Sequence, residues 1–129
     1  MSVNESLTHI ERLQSEVQSL MMATLSTDDT PHISYAPFVM YEGSFYVFIS
    51  GLAAHTKHLL ERRQAQIMLI DDEAKSRNIF ARMRLIYQVE AHVLARTHEE
   101  FELVGESMRE RHGSTVDVLL HLNDFVMFK

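Results

Sequence analysis

The sequence has no cysteine and no tryptophan, and only 4 glycines and 2 prolines among its 129 residues. Without cysteine there is no disulfide, no thiolate metal site and no cysteine nucleophile. A chain of this kind fits a reducing, cytoplasmic setting. So little glycine and proline leaves no room for a linker, and neither an internal repeat nor a low-complexity tract is present. The whole of 1–129 therefore reads as one domain. No apolar run approaches the ~20 residues needed to span a bilayer. The opening MSVNESLTHIERL is polar and acidic, unlike a secretion leader, so no membrane partner is expected. Positive charge is also scarce, with 12 Lys and Arg against 18 Asp and Glu for a formal charge of −6. Nucleic acid, which demands a positive face, is not an expected partner. The P-loop, the Rossmann glycine pattern and any Ser–His–Asp arrangement are missing too.

What remains is an ordinary globular composition, 46% hydrophobic and 23% charged, in a chain long enough to bury a substantial core. The 8 methionines read as fillers of irregular core gaps. Residues 4–22 carry apolar side chains at helical spacing (Ile10, Leu13, Val17, Leu20, Met21). A short strand over 22–26 and a turn at Asp28–Pro31 follow. His32–Tyr41 reads as a strand with a bulge or edge at Pro37, which has no N–H for a ladder. Glu42-Gly43-Ser44 makes a hairpin turn into a strand at Phe45–Ser50. Ala53–Arg63 reads as a short helix, and Gln66–Asp71 as a strand buried on both faces. Asp72–Phe80 is loop or briefly helical. Arg82–Leu94 alternates apolar and polar residues as one long half-buried strand. Thr97 caps a helix ending at Gly113; a second helix reaches Leu122, and Asp124–Lys129 forms the last strand. Six strands, mostly adjacent in sequence, predict a mainly β fold with helices, a small antiparallel barrel.

The 53–63 helix is the chemical focus. It carries His55, Thr56, Lys57, His58, Arg62 and Arg63 in an acidic protein, and a helix start offers free N–H groups and a positive dipole end to an anion. Thr56 adds a hydroxyl, Lys57 a point charge and His55 a donor when protonated. The plain alternative is a solvated amphipathic helix with Leu59 and Leu60 packed inward. His55 and His58 have metal-ligand spacing, but no third ligand stands out and no metal is expected. Arg82 and Arg84 share one strand face. They serve either solubility or a guanidinium fork for phosphate or carboxylate.

ISYAPFV (33–39), HTKHL (55–59), IMLIDDE (67–73), IFARMRL (79–85), ERHG (110–113) and LNDFVMF (122–128) occur in order across nearly the whole chain. In these the sequence resembles the FMN-binding split-barrel superfamily typified by pyridoxamine 5′-phosphate oxidase. Within it, the sequence is most similar to haem-utilisation proteins of the HugZ/HutZ type. The resemblance implies a six-stranded split barrel, a homodimer, and FMN or haem in a groove between subunits. By resemblance, Ser50, His55, Thr56 and Lys57 lie where flavin relatives hold phosphate, and Ser34, Ala36, Pro37 and Phe38 line the ring. His55, Arg84 and Asp124 match positions that lie in or support the haem pocket. The haem-utilisation proteins continue past the position of Lys129, and the resemblance puts their iron-ligating histidine in that continuation. His112 and His121 do not match it, so for residues 1–129 alone axial ligation and haem degradation are not expected. The functional expectation is haem utilisation or flavin-dependent oxidoreductase-like chemistry, with a haem or flavin carrier without turnover as the alternative.

Overall fold

The computed structural model describes residues 2–129. Helix α1 (Val3–Glu16) opens the chain, with the Ser2 hydroxyl accepting from the Glu5 N–H at its start. Seven strands follow, β1 (Ser19–Leu25), β2 (Pro31–Tyr41), β3 (Ser44–Ser50), β4 (Gln64–Ile70), β5 (Arg84–Glu90), β6 (Val93–Leu94) and β7 (Phe125–Phe128). Helix α2 (Ala54–Arg62) lies between β3 and β4, and α3 (Glu99–His112) and α4 (Thr115–Leu120) lie between β6 and β7. All pairings are antiparallel, in the order β5-β4-β1-β2-β3-β7-β6.

Strand β2 serves two half-sheets. It pairs with β1 from Pro31 to Pro37 and with β3 from Phe38 to Tyr41. Pro37 sits at the switch, opposite Ser19 at the start of β1. The sequence expectation of an irregularity there is met, since a residue without an N–H suits the place where the ladder changes partner.

The strand read as continuous from Arg82 to Leu94 is divided, so there are seven strands and not six. At Ala91 and His92 the chain leaves one edge of the sheet for the other. The Ala91 N–H turns to Arg63 O (2.6 Å), and His92 exchanges backbone hydrogen bonds with Lys129 (3.2 and 2.8 Å). The apolar–polar alternation of the sequence runs on through Val93 and hides this break, whereas in the structure its phase flips there, with Val93 exposed and Leu94 buried. Helix α1 stops at Glu16, short of the expected residue 22, because Ser19–Leu25 alternates exposed and buried as a strand. Strand β4 buries one face rather than both. His98, not Thr97, caps α3, its Nδ1 accepting from the Glu100 N–H.

Two cores result. Leu20, Met22, Ala36, Phe38, Val47, Ile49, Ile67, Leu69 and Phe128 fill the barrel, and Leu59 of α2 joins them. Val39, Tyr46, Phe48, Leu94 and Met127 form the other beneath Phe101, Val104 and Met108 of α3. Arg12 of α1 grips Asp71 after β4 through both oxygens (3.0 and 2.9 Å), and this holds the Asp71 carboxyl below the usual carboxylate range.

Gly51 is where β3, α2 and β7 meet. Its N–H donates to Asp124 O at 2.6 Å, and a Cβ placed there would stand 2.5 Å from that same oxygen. Gly51→Ala should therefore destabilise the protein by about 1–3 kcal/mol, as overpacking against backbone does. Gly105, inside α3, has space for a Cβ at an ordinary 3.6 Å from Leu120. Gly105→Ala should be neutral or stabilising by up to ~1 kcal/mol through helix propensity. Urea denaturation of the two variants checks the pair, and equal effects would contradict the geometry.

Candidate functional site

Helix α2 lies on the inward side of β1 and β2, and two of its histidines seat it there. His55 Nδ1 is 2.8 Å from Ser34 Oγ on β2, and His58 Nδ1 is 2.8 Å from Thr24 Oγ1 on β1. The His32 ring meets His58 edge-on at 5.3 Å. Each imidazole thus has one nitrogen committed to a hydroxyl, which fixes the ring and leaves the other nitrogen for a further partner. Among the described residues no group of three or more His, Asp or Glu side chains is arranged to hold a metal ion. The spacing of His55 and His58 serves attachment of the helix to the sheet.

The start of α2 is open. Its N-cap is Ala53, which supplies no side-chain hydrogen bond. The Ser50 hydroxyl accepts from the Leu52 N–H (3.1 Å), and the fully buried Thr56 hydroxyl donates to Ser50 O (2.5 Å). Those two hydroxyls therefore shape the turn and anchor the helix. The Thr56 N–H donates to Ala53 O (3.2 Å), so what the turn leaves for an anion is the N–H groups of Ala54 and His55, the free edge of His55 and the exposed Lys57. Asp124 is adjacent, since its carbonyl holds Gly51 and its Cβ lies 3.8 Å from the site of a Gly51 Cβ.

The remaining sequence candidates divide by strand geometry. Ala36 and Phe38 point inward and are fully buried, so their side chains belong to the barrel core. Of these two residues a ring lying along the strand would therefore meet backbone and not side chain. The period-2 alternation of β2 leaves Ser34 half-buried on the inner side and Pro37 exposed on the outer. Arg84 stands opposite Ile70 on the outer face of β5, toward the other end of the sheet from Thr24 and His58. One copy of the chain does not bring Arg84 to His55. Arg82, which precedes β5, is engaged instead, donating to Asp71 O (Nε at 2.9 Å).

That outer face is apolar. Ile33 and Tyr35 are each 70% exposed, and Ile86 is 55% exposed. The registers place Met21 opposite Tyr35 and Met68 opposite Ile86, so these side chains share one surface. Phe80, in the turn before β5, is 95% exposed. The sequence pattern marked β5 as half-buried but gave no sign that β1, β2, β4 and β5 expose one continuous apolar sheet face.

Burial, and then the neighbouring His32 and His58, push the His55 pKa below its ordinary value. A histidine depressed in the folded state takes up protons more readily when unfolded. Stability from this group is complete above the unfolded value of ~6.5 and falls as pH drops through that value toward the folded one. Thermal unfolding between pH 7.5 and 5.5 should show a falling Tm with a shallower slope in His55→Gln; an unchanged slope would exclude His55 as its source. Asp71, whose pKa is depressed, contributes only at lower pH and does not confound this window.

Residues 8–129 match the family model described as pyridoxamine 5′-phosphate oxidase. Over 120 residues the chain is 36% identical to "Heme oxygenase HutZ" of Vibrio cholerae, covering 93% of this chain and 68% of that protein. A crystal structure of HutZ, there described as the heme storage protein from Vibrio cholerae, superposes with a TM-score of 0.90 at 35% identity, covering 95% of this chain and 86% of that one. Campylobacter jejuni ChuZ shares the fold with a TM-score of 0.90 at 24% identity, and this chain spans 53% of it. No helix among the described residues is long and apolar enough to cross a membrane. With its split barrel, its collinear motifs and a family match over nearly its full length, the chain belongs to the pyridoxamine 5′-phosphate oxidase family and resembles its HutZ-type haem proteins.

Proposed function

We propose that this protein binds haem as a homodimer and serves haem iron utilisation in the cytoplasm. The observation that carries the reading is the open start of α2, where a ring-fixed His55 and Lys57 flank an uncapped helix end beside Asp124. Such an end suits a carboxylate or phosphate, and haem offers two propionates. The 36% identity to a protein called a heme oxygenase supports haem over other anions. Bound haem supplies the iron centre. The chain's own residues orient it and neutralise its carboxylates.

The positions of Arg84 and His55 support the dimer. They lie on opposite faces of one sheet, so a ligand touching both requires two copies. The apolar face of Ile33, Tyr35, Met21 and Ile86, with Arg84 on the same side, is suited to a self-complementary interface.

FMN is the second reading. Family membership and the same helix end favour it, because the flavin phosphate needs the contacts a propionate would use. Whether bound haem is degraded or held is a separate question. The Vibrio cholerae relative itself is named both an oxygenase and a storage protein. A carrier would bind haem stoichiometrically and leave it intact with ascorbate present; an enzyme would consume it.

Absorbance titration of the purified protein should show saturable haem binding. His55→Ala and Arg84→Ala should each weaken it about tenfold or more, the scale of losing one charge-assisted hydrogen bond of ~1.5–3 kcal/mol. Uptake of FMN and not haem would shift the assignment to the second reading, and uptake of neither would overturn both. Tyr35→Glu should raise the dimer dissociation constant by roughly a hundredfold or more, since an isologous interface contains the change twice. Sedimentation that shows a monomeric wild type, or a Tyr35→Glu dimer of unchanged affinity, would remove the shared groove.

A further inference from the structure

Arg96 follows β6, far in sequence from the candidate site, and its guanidinium gathers the backbone that leads into Asp124. Nη1 donates to Leu120 O at 2.8 Å, and Nη2 donates to Leu122 O at 2.6 Å and Phe125 O at 3.2 Å. The first two carbonyls lie at the end of α4, where a helix leaves acceptors without internal partners. The third opens β7. The same guanidinium lies over the rings of Phe48 (5.7 Å) and Phe101 (5.4 Å). Phe48 in turn packs on Phe125 at 5.3 Å. A planar fork with several fixed donors can hold three carbonyls at once on an aromatic platform, and an ammonium cannot.

The turn held this way has a second anchor. Asp124 O receives the Gly51 N–H, and Ser50 pairs with Phe125 at the start of the β3–β7 ladder. The loop around Asp124 is thus fixed from one side by Arg96 and from the other by the backbone that opens α2. Asn123 and Asp124 themselves are exposed.

We infer that Arg96 is a positioning residue: it clamps the 120–125 turn so that Asp124 stays seated against Gly51 and beside the start of α2. Its consequence for ligand binding rests on the proposed haem site. Arg96 touches no ligand in this scheme and acts through the placement of Asp124. Because Arg96 is itself exposed, its replacement should leave the two cores intact.

The test uses the full chain with Arg96→Met, Arg96→Lys, Asp124→Asn and the Arg96→Met/Asp124→Asn pair. Amide hydrogen exchange at Gly51 reads the clamp without any ligand, and haem titration reads its consequence. In Arg96→Met, Gly51 exchange should accelerate at least tenfold while amides of the barrel core keep their protection. Arg96→Lys should restore little of the loss. Haem affinity should fall about three- to tenfold in Arg96→Met and no further in the double variant than in Asp124→Asn, since both act through one group. Unchanged exchange at Gly51, or losses in affinity that multiply, would overturn the inference. If Asp124→Asn binds haem as the wild type does, Asp124's place in the haem site falls. The exchange measurement then still decides, by itself, whether Arg96 holds the turn.

Discussion

Strand β2 is the constraint on which the remaining structure depends, because it must satisfy two sheets with one backbone. Through Pro37 it completes β1, and from Phe38 it completes β3. At the switch it is buried on both sides, with Phe38 in the barrel and Val39 beneath α3. The C-terminal end of α3 secures this point. His112 Nε2 lies 2.8 Å from Phe38 O, and the Arg111 guanidinium stands 5.1 Å from the Phe38 ring. Arg111 also donates to Gln14 O and Val17 O at the end of α1. One short stretch, Arg111–His112, therefore joins α1, α3 and β2. Burial lowers the pKa of that arginine from its ordinary value, and the backbone carbonyls offset only part of its desolvation.

Once β2 is fixed, the position of α2 is largely determined. The helix connects the edge-distant strands β3 and β4, which are separated in the sheet by β2 and β1. It must cross the barrel end, and Leu59 enters the core while the histidines contact hydroxyls on the two strands it passes. The N-terminus of α2 is left unfilled because the nearest side chain at the cap is only alanine. An open, positively polarised helix end next to a rigid strand crossover is a consequence of topology before it is a feature of chemistry.

Much of this was legible in the residues. Alternation exposed β5, aromatic and β-branched residues marked β3, the Glu42-Gly43-Ser44 turn marked the β2–β3 hairpin, and Gly113 marked the end of α3. The basic helix stood out because cations are scarce elsewhere. Two kinds of information were hidden. The division of β5 from β6 depends on which edge of the sheet the chain reaches, a tertiary fact that a period-2 pattern does not encode. The burial of Ala36 and Phe38, and the separation of Arg84 from His55, depend on which face of each strand looks inward, and a one-residue shift of register would reverse them. Arg96 gave no signal at all, because its hydrogen-bond partners are backbone carbonyls that any sequence possesses, and the rings it lies over are distant in sequence.

The two-faced sheet brings these features to a single physical point. Half-sheet β1, β2, β4 and β5 has one face packed into the barrel and the other covered with Ile33, Tyr35, Met21 and Ile86. A monomer gains nothing by exposing such a surface, and antiparallel sheets that face water normally alternate to polar residues there. Polar residues do occur on it, grouped in one corner where Gln64 and Gln66 of β4 pair with Glu90 and Gln88 of β5, and at the opposite end with Arg84 on β5 and Ser19 on β1. An apolar centre with a polar rim is the layout of an interface core and its periphery. Arg84 then has a reason for its position that solubility does not supply. In the homodimer proposed above, a guanidinium at this rim would face the second copy while staying hydrated enough to avoid the cost of full burial.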